Sequence, residues 1–343
     1  MKKTNQLFKL NINRTIIQLI ILFFSITTFA QKKIDSIQKK TAIGIKEKFP
    51  RTRILNFEYG QSLQRDFDSE LLEEALQKGV IKKQETFNAS LNLPFYFKGK
   101  LVLSGALNYQ YNKFEFENIQ NTNVTVFEQN GVVDFHNFST AINATYFSSL
   151  FKKPVIYNAS VIIDGNEKGF ERIKGLVGFS FILKRTASTT MTLGAIAFLD
   201  PTAQLPFFPT FSYSHKFSNS KWELDFILPQ RLLLRRFVGE NGRFSIGSSF
   251  GASSFYINVD SPEFAEIYEY SQLEVRSGIT YEHRFNNHLI GTFQGGVQNF
   301  IGNRLTEKAK PNSEFIYKNN QDATGYFQFG ISIDPFAKKK QVK

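Results

Sequence analysis

Four histidines are the first residues of this chain that could carry out chemistry: His136, His215, His283 and His288. Asp134 and Ser139 lie close to His136 in sequence, and these are the residue types of a serine–histidine hydrolase. Such an enzyme needs serine and histidine to project to the same side. No motif for a zinc protease, a P-loop or a dinucleotide site is correctly placed, so the sequence offers a hydrolase only as the least favoured reading.

Charged side chains that alternate with apolar ones are the stronger candidates. The ten predicted to face the interior are Glu58, Glu223, Asp225, Arg231, Arg235, Glu274, Arg276, Glu282, Arg284 and Asp334. Rings of charge set the selectivity of pores, whereas mixed signs on adjacent strands can form salt bridges that close one. The sequence leaves both readings open. Cysteine is absent, and we expect no catalytic residue, metal or cofactor.

Strands of about ten residues with period-two alternation would position these charges. Fourteen strands are predicted, with twelve as the alternative: 53–64, 85–97, 100–113, 135–149, 154–164, 172–185, 189–199, 207–217, 221–229, 231–238, 243–257, 270–285, 288–301 and 323–336. Apart from the N-terminal segment, no stretch is long and apolar enough for a membrane-spanning helix.

The connections between the predicted strands alternate in length. Short turns follow the even-numbered strands, at 98–99, 152–153, 186–188, 218–220, 239–242 and 286–287. The other connections are mostly long, at 65–84, 114–134, 165–171, 200–206, 258–269 and 302–322, and only 229–230 breaks the pattern. This alternation is typical of an outer-membrane barrel.

The two faces of each predicted strand differ in polarity. In 270–285, Ile279 and Tyr281 oppose Thr280 and Glu282. A charge facing hydrocarbon costs about 2–4 kcal/mol for Arg or Lys, so the charged faces must line the interior. Because every second residue of such strands is polar, the mean hydropathy of the chain is only −0.24. Aromatic residues beside the short turns predict an interfacial girdle: Phe95, Phe97, Tyr146, Phe151, Phe217, Trp222 and Phe285.

The pattern therefore predicts an all-β, up-and-down antiparallel transmembrane barrel over residues 53–336. Residues 1–30 read as a signal peptide, with a basic start, an apolar run at 15–30 and small residues before Gln31. Cleavage there removes four of the basic residues and lowers the formal charge of +12 to +8. Residues 31–52 are a periplasmic tail or a plug, and 337–343 are a basic tail.

The last predicted strand, GYFQFGISIDPF (325–336), alternates aromatic and polar residues and ends on Phe336. It resembles the signal that the barrel-insertion machinery reads, although seven residues follow it here. With LNLPFYFKGKLVLSGALNYQYN (91–112), the chain also resembles an uncharacterised outer-membrane barrel family of Bacteroidota. The resemblance implies fold and location and no activity.

One helix is predicted, over 66–79, with Leu71, Leu72, Ala75 and Leu76 on one face and Gly79 after its end.

For function, the first hypothesis is a passive channel or uptake barrel for small solutes. The second is a non-conducting structural or surface-binding barrel. We expect a monomer in the outer membrane with both termini periplasmic, in contact with lipid, lipopolysaccharide and the insertion machinery, and with no nucleic acid.

Overall fold

A computed structural model describes residues 49–50, 52–121, 131–260 and 262–337. These residues form sixteen strands and one short 3-10 turn at Asn312–Glu314. The first eight strands are β1 Leu55–Ser62, β2 Arg65–Leu71, β3 Glu74–Lys98, β4 Leu101–Asn121, β5 Gly131–Leu150, β6 Lys153–Asn166, β7 Gly169–Arg185 and β8 Thr189–Leu199. The others are β9 Phe207–Lys216, β10 Trp222–Leu228, β11 Arg231–Val238, β12 Gly242–Asn258, β13 Ile267–Arg284, β14 Leu289–Glu307, β15 Phe315–Gln321 and β16 Thr324–Ile333.

The strands close into one antiparallel ring. β1 pairs with both β16 and β3, and β14 pairs with both β13 and β16, so the first and last strands join. β2 continues the position of β1, and β15 continues that of β16 toward the same end. The sixteen strands therefore make a 14-strand barrel, which leaves no unpaired edge around the ring.

All fourteen predicted strands are present, and the prediction of fourteen is confirmed. The predicted helix over 66–79 is wrong, because this stretch is the hairpin of β2 and β3. Leu72 and Glu73 form its turn with φ of 53° and 70°. At Gly79, β3 approaches β4 closely, since a Cβ atom there would lie 3.1 Å from the Cα atom of Ile119. Pairing with β15 and β4 prevails over the helical spacing of the leucines.

The barrel wall varies in height. We call the end that carries the connections at 99–100, 151–152, 186–188, 217–221, 239–241 and 285–288 the short-turn end, and the opposite end the tall end. β3 has 25 residues, whereas β10 has 7 and β11 has 8. Most of the predicted long loops are therefore strand extensions that lengthen hairpins at the tall end, beyond the predicted strand ends.

The outward face is apolar and the inward face polar. Leu232, Ile279 and Ile331 are among the exposed apolar residues, at 51, 42 and 52%. Their inward neighbours on the same strands include Arg231, Glu282 and Ser332. Six of the predicted girdle residues are exposed, and Trp222 lies beneath the Arg236 guanidinium at 5.5 Å. This is the arrangement of a lipid-facing wall around a polar interior.

No helix in the described part of the chain is long and apolar enough to cross a membrane. The signal-peptide prediction for 1–30, nearly all of 31–52 and residues 338–343 of the basic tail lie outside the described residues.

Candidate functional site

At the tall end, opposite walls of the barrel touch. Five strands, β7–β11, separate β6 from β12 around the ring, yet β12 contacts β5 and β6 directly. Phe255 on β12 stacks on Phe135 of β5 with ring centroids 4.3 Å apart. Around them lies an apolar cluster that includes Phe67, Ile81, Phe114, Ile119 and Tyr270, all buried. The interior at this level is filled with side chains.

Hydrogen bonds reinforce this contact between the walls. The Tyr256 hydroxyl donates to the Asp164 carboxylate at 2.8 Å, and the Asn166 side-chain amide donates to the Oδ1 atom of the Asn258 side chain at 2.8 Å. β12 reaches β5 and β6 through side chains and not through strand pairing, since its paired neighbours are β11 and β13. We call these contacts, together with the apolar cluster, the tall-end closure.

The connection at 200–206 folds inward and extends the tall-end closure. Thr202 donates to Glu269 at 2.8 Å and accepts from Arg172 at 2.6 Å. Arg172 also contacts Asp200 at 2.5 Å and Glu269 at 2.8 Å. Lys174 contacts Glu269 at 2.6 Å and Asp164 at 2.8 Å. β6, β7, β13 and this connection are thereby joined by one buried charge network.

Asp200 lies outside the strands, and its ionisation is coupled to this network. Burial would raise the pKa of its carboxyl group, but Lys174, Thr202 and Arg172 more than offset that effect. The pKa of Asp200 therefore lies below its ordinary value, and the group is held as a carboxylate.

In the half of the lumen nearer the short-turn end, one carboxylate is shared by two arginines. Asp225 on β10 is 2% exposed. Its Oδ2 atom accepts from the Arg231 Nε at 2.7 Å and lies 2.7 Å from an Arg235 terminal nitrogen. Charge-assisted contacts of this kind are among the strongest that buried side chains make.

A second carboxylate, Glu282 on β13, is shared in the same way. The Arg243 Nε donates to Oε2 at 2.6 Å, and Arg53 donates to Oε1 at 2.6 Å. The Arg243 guanidinium also lies 4.7 Å from the ring centre of Phe49, which is 1% exposed. Phe49 contacts Phe237 of β11 as well, with centroids 6.2 Å apart. Phe49 and Arg53 therefore both lie at this level of the lumen.

Glu274 and Arg276 form a third charged group on β13. Arg276 lies 2.7 Å from Glu274 and donates to Gln328 at 3.0 Å. Gln272 and Gln298 both donate to the other Glu274 oxygen. Glu274 is buried, and both of its carboxylate oxygens contact polar side chains of the described interior.

The four remaining candidates do not join these groups. Glu58 faces inward toward Gly330, and Glu223 contacts Lys216 at 3.5 Å. Arg284 donates to Asn286 and Asn287 in the turn after β13. Asp334 lies beyond the end of β16, where its carboxylate accepts from the backbone nitrogen of Phe336 at 3.0 Å.

Several interior residues escaped the sequence analysis: Arg53, Arg243, Asp164, Arg172, Lys174, Asp200 and Glu269. Arg172 and Lys174 are two apart at the start of the predicted strand 172–185 and so share a face, which is a readable signal. Arg243 comes directly after a turn, and Arg53 precedes β1, where alternation gives no orientation.

His136 does not form a hydrolase dyad with Ser139. The two residues are three apart on β5, so they point to opposite faces of the wall. His136 contacts the Tyr109 hydroxyl at 2.9 Å and Asp134 at 3.5 Å, whereas Ser139 accepts from Asn108 at 3.4 Å. No cluster of three or more metal-ligating side chains occurs in the described ranges.

Comparison with known proteins gives similarity only at the level of solved structures. No family model matches, and no curated protein matches. An outer-membrane channel of Pseudomonas putida F1 aligns over 82% of this chain and 96% of its own, with 8% identity and a TM-score of 0.36. The transport unit of the Escherichia coli autotransporter AIDA-I aligns over 83% and 91%, with 10% identity and a TM-score of 0.28. The Pseudomonas putida toluene transporter TodX aligns over 81% and 88%, with 8% identity and a TM-score of 0.28.

Proposed function

We propose that this protein is an outer-membrane uptake barrel for small hydrophilic solutes, and that the structure is its closed state. The observation that carries the proposal is the nature of the tall-end closure. Opposite walls meet there through side chains and the 200–206 connection, without strand pairing between β12 and β5 or β6. The closure can therefore separate while every strand of the ring keeps its neighbours.

The charged interior supports a hydrophilic solute. Carboxylates and guanidinium groups of β10–β13 face the lumen below the closure. Side chains that are ionised and partly solvated favour ions and polar molecules over apolar ones.

Conductance across planar bilayers tests the proposal. We expect the wild-type barrel to open rarely, and a triple variant, Phe255→Ala with Tyr256→Phe and Asn258→Ala, to stay open longer because three contacts of the closure are lost. Phe285→Ala is the control, since Phe285 is 63% exposed at the short-turn end. A triple variant that is folded and as silent as the wild type would contradict the proposal.

A non-conducting barrel is the second candidate, and the extent of the apolar filling favours it. Six buried residues and six partly buried ones pack together at the tall end. In that case the function would reside in the tall-end connections, and deletion within 308–314, between β14 and β15, would abolish it while the triple variant would not.

For location, we propose the outer membrane with a monomeric barrel and both termini periplasmic. The apolar outward face, with Trp222 and six exposed aromatic residues near the short-turn end, supports contact with lipid. Lipopolysaccharide at the tall end and recognition of β16 by the insertion machinery belong to the same proposal. No enzymatic activity is proposed.

A further inference from the structure

In the half of the lumen nearer the short-turn end, four guanidinium groups share two carboxylates as direct partners. We call Arg53, Arg231, Arg235 and Arg243, with Asp225 and Glu282, the arginine array. Asp225 contacts two of the arginines, and Glu282 contacts the other two. Four positive groups face two negative ones within the array. Of the nearby acids, Glu223 lies opposite Arg235 in the strand register and contacts Lys216 at 3.5 Å, and Glu58 acts electrostatically on Arg53.

The two halves of the array belong to one site. Arg235 contacts Asp225 directly and is also within electrostatic range of Arg243, Arg231 and Glu282. β10, β11, β12 and β13 are consecutive neighbours in the ring, so the four strands present these groups side by side. Arg53 approaches from the segment before β1.

Two donors in the array have no protein partner in the described structure. The Arg235 Nε and one terminal nitrogen of Arg53 are inaccessible to solvent and make no hydrogen bond. Leaving a buried donor of a charged group unpaired costs more than about 1–3 kcal/mol. An oxyanion that entered the array and turned both side chains toward it would supply these donors with an acceptor and so remove that cost.

From this geometry we infer that the arginine array binds a small oxyanion, with a carboxylate or phosphate group held between Arg53 and Arg235. Guanidinium groups match both ligand types because their planar fork donates two parallel hydrogen bonds. The inference deepens the proposed uptake function by naming the class of solute, since an anion crossing the lumen would meet this site.

Calorimetric titration of the full-length barrel in detergent tests the inference without requiring conduction. Inorganic phosphate and succinate are the two probes. We expect at least one to bind, and Arg235→Lys and Arg53→Gln each to weaken binding about tenfold or more. Arg235→Lys keeps the positive charge beside Asp225, so the wall should still fold. Arg284→Gln is the matched control, because Arg284 lies on β13 at the same end and donates to Asn286 and Asn287 of the turn.

The outcomes separate the two proposals. Binding of phosphate alone, or of succinate alone, supports the inference and identifies the ligand group. No binding of either probe to the folded wild type, or equal affinity in the wild type and both array variants, overturns it. Binding in a barrel that never conducts would retain the anion site and reject the uptake function.

Discussion

Phe135 of β5 and Phe255 of β12 stack face to face across the lumen, with 19° between their ring planes. This contact joins opposite walls of the barrel, so we expect it to stabilise the fold as a contact in a protein core does. Phe255→Ala should lower the free energy of unfolding by about 3–5 kcal/mol, because Phe255 is 3% exposed and its loss leaves a cavity. Denaturant unfolding in lipid vesicles measures this. Phe97→Ala should cost less, since Phe97 is 62% exposed and no cavity forms.

Asp225 contacts two arginines, so its charge should matter more than that of a neighbour on the same face. Asp225→Asn leaves Arg231 and Arg235 without their carboxylate, and we expect a loss of about 3–5 kcal/mol in the same unfolding assay. Glu223→Gln on the same strand should cost about 1 kcal/mol or less, because its partner Lys216 is largely exposed. Equal losses of unfolding free energy in the two variants would show that Arg231 and Arg235 do not share the Asp225 carboxylate.

Adjacent residues on β13 should differ in how far a new charge destabilises the barrel. Ile279 faces outward and is 42% exposed, whereas Thr280 faces the lumen. Ile279→Lys should destabilise the folded barrel in vesicles by about 2–4 kcal/mol if it lies near the bilayer centre. Thr280→Lys should cost much less, because its charge enters the polar interior. A larger loss for Thr280→Lys would reverse the assignment of the two faces.

The absence of cysteine makes orientation directly measurable. Lys100 lies in a turn at the short-turn end, and Lys168 lies in a turn at the tall end. With the tall end outside, Lys168→Cys should react with a membrane-impermeant maleimide in intact cells. Lys100→Cys should react only after the outer membrane is opened. Labelling of Lys100→Cys alone in intact cells would invert the proposed topology.

The tall-end closure should weaken in acid through Asp200. Because the pKa of Asp200 is lowered on folding, its contribution to stability is present above the unfolded value, about 3.9, and is lost as pH falls through the folded value. The wild type should therefore lose stability below about pH 4. Asp200→Asn removes this contribution, so its stability should vary less with pH over that range. Parallel pH profiles for the two proteins would exclude Asp200 as the titrating group.

The sequence alone determined the wall of this barrel. Period-two alternation, as in Ile279, Thr280, Tyr281 and Glu282, assigns each residue to lipid or lumen, because successive side chains in a strand must point to opposite faces. Strand number and the charged inward positions on β10, β11 and β13 follow from that local rule. The rule does not orient Arg53, because β1 begins at Leu55 and not at residue 53 as predicted.

Only the tertiary structure decided what fills the lumen. Asp225 could have paired with any inward cation, and its two partners are fixed by strand register and wall curvature. Contact between Phe135 and Phe255 depends on the inward bend of tall strands from opposite sides of the ring, which no local pattern encodes. The 66–79 segment shows the same limit, since long-range pairing with β15 overrode its helical spacing.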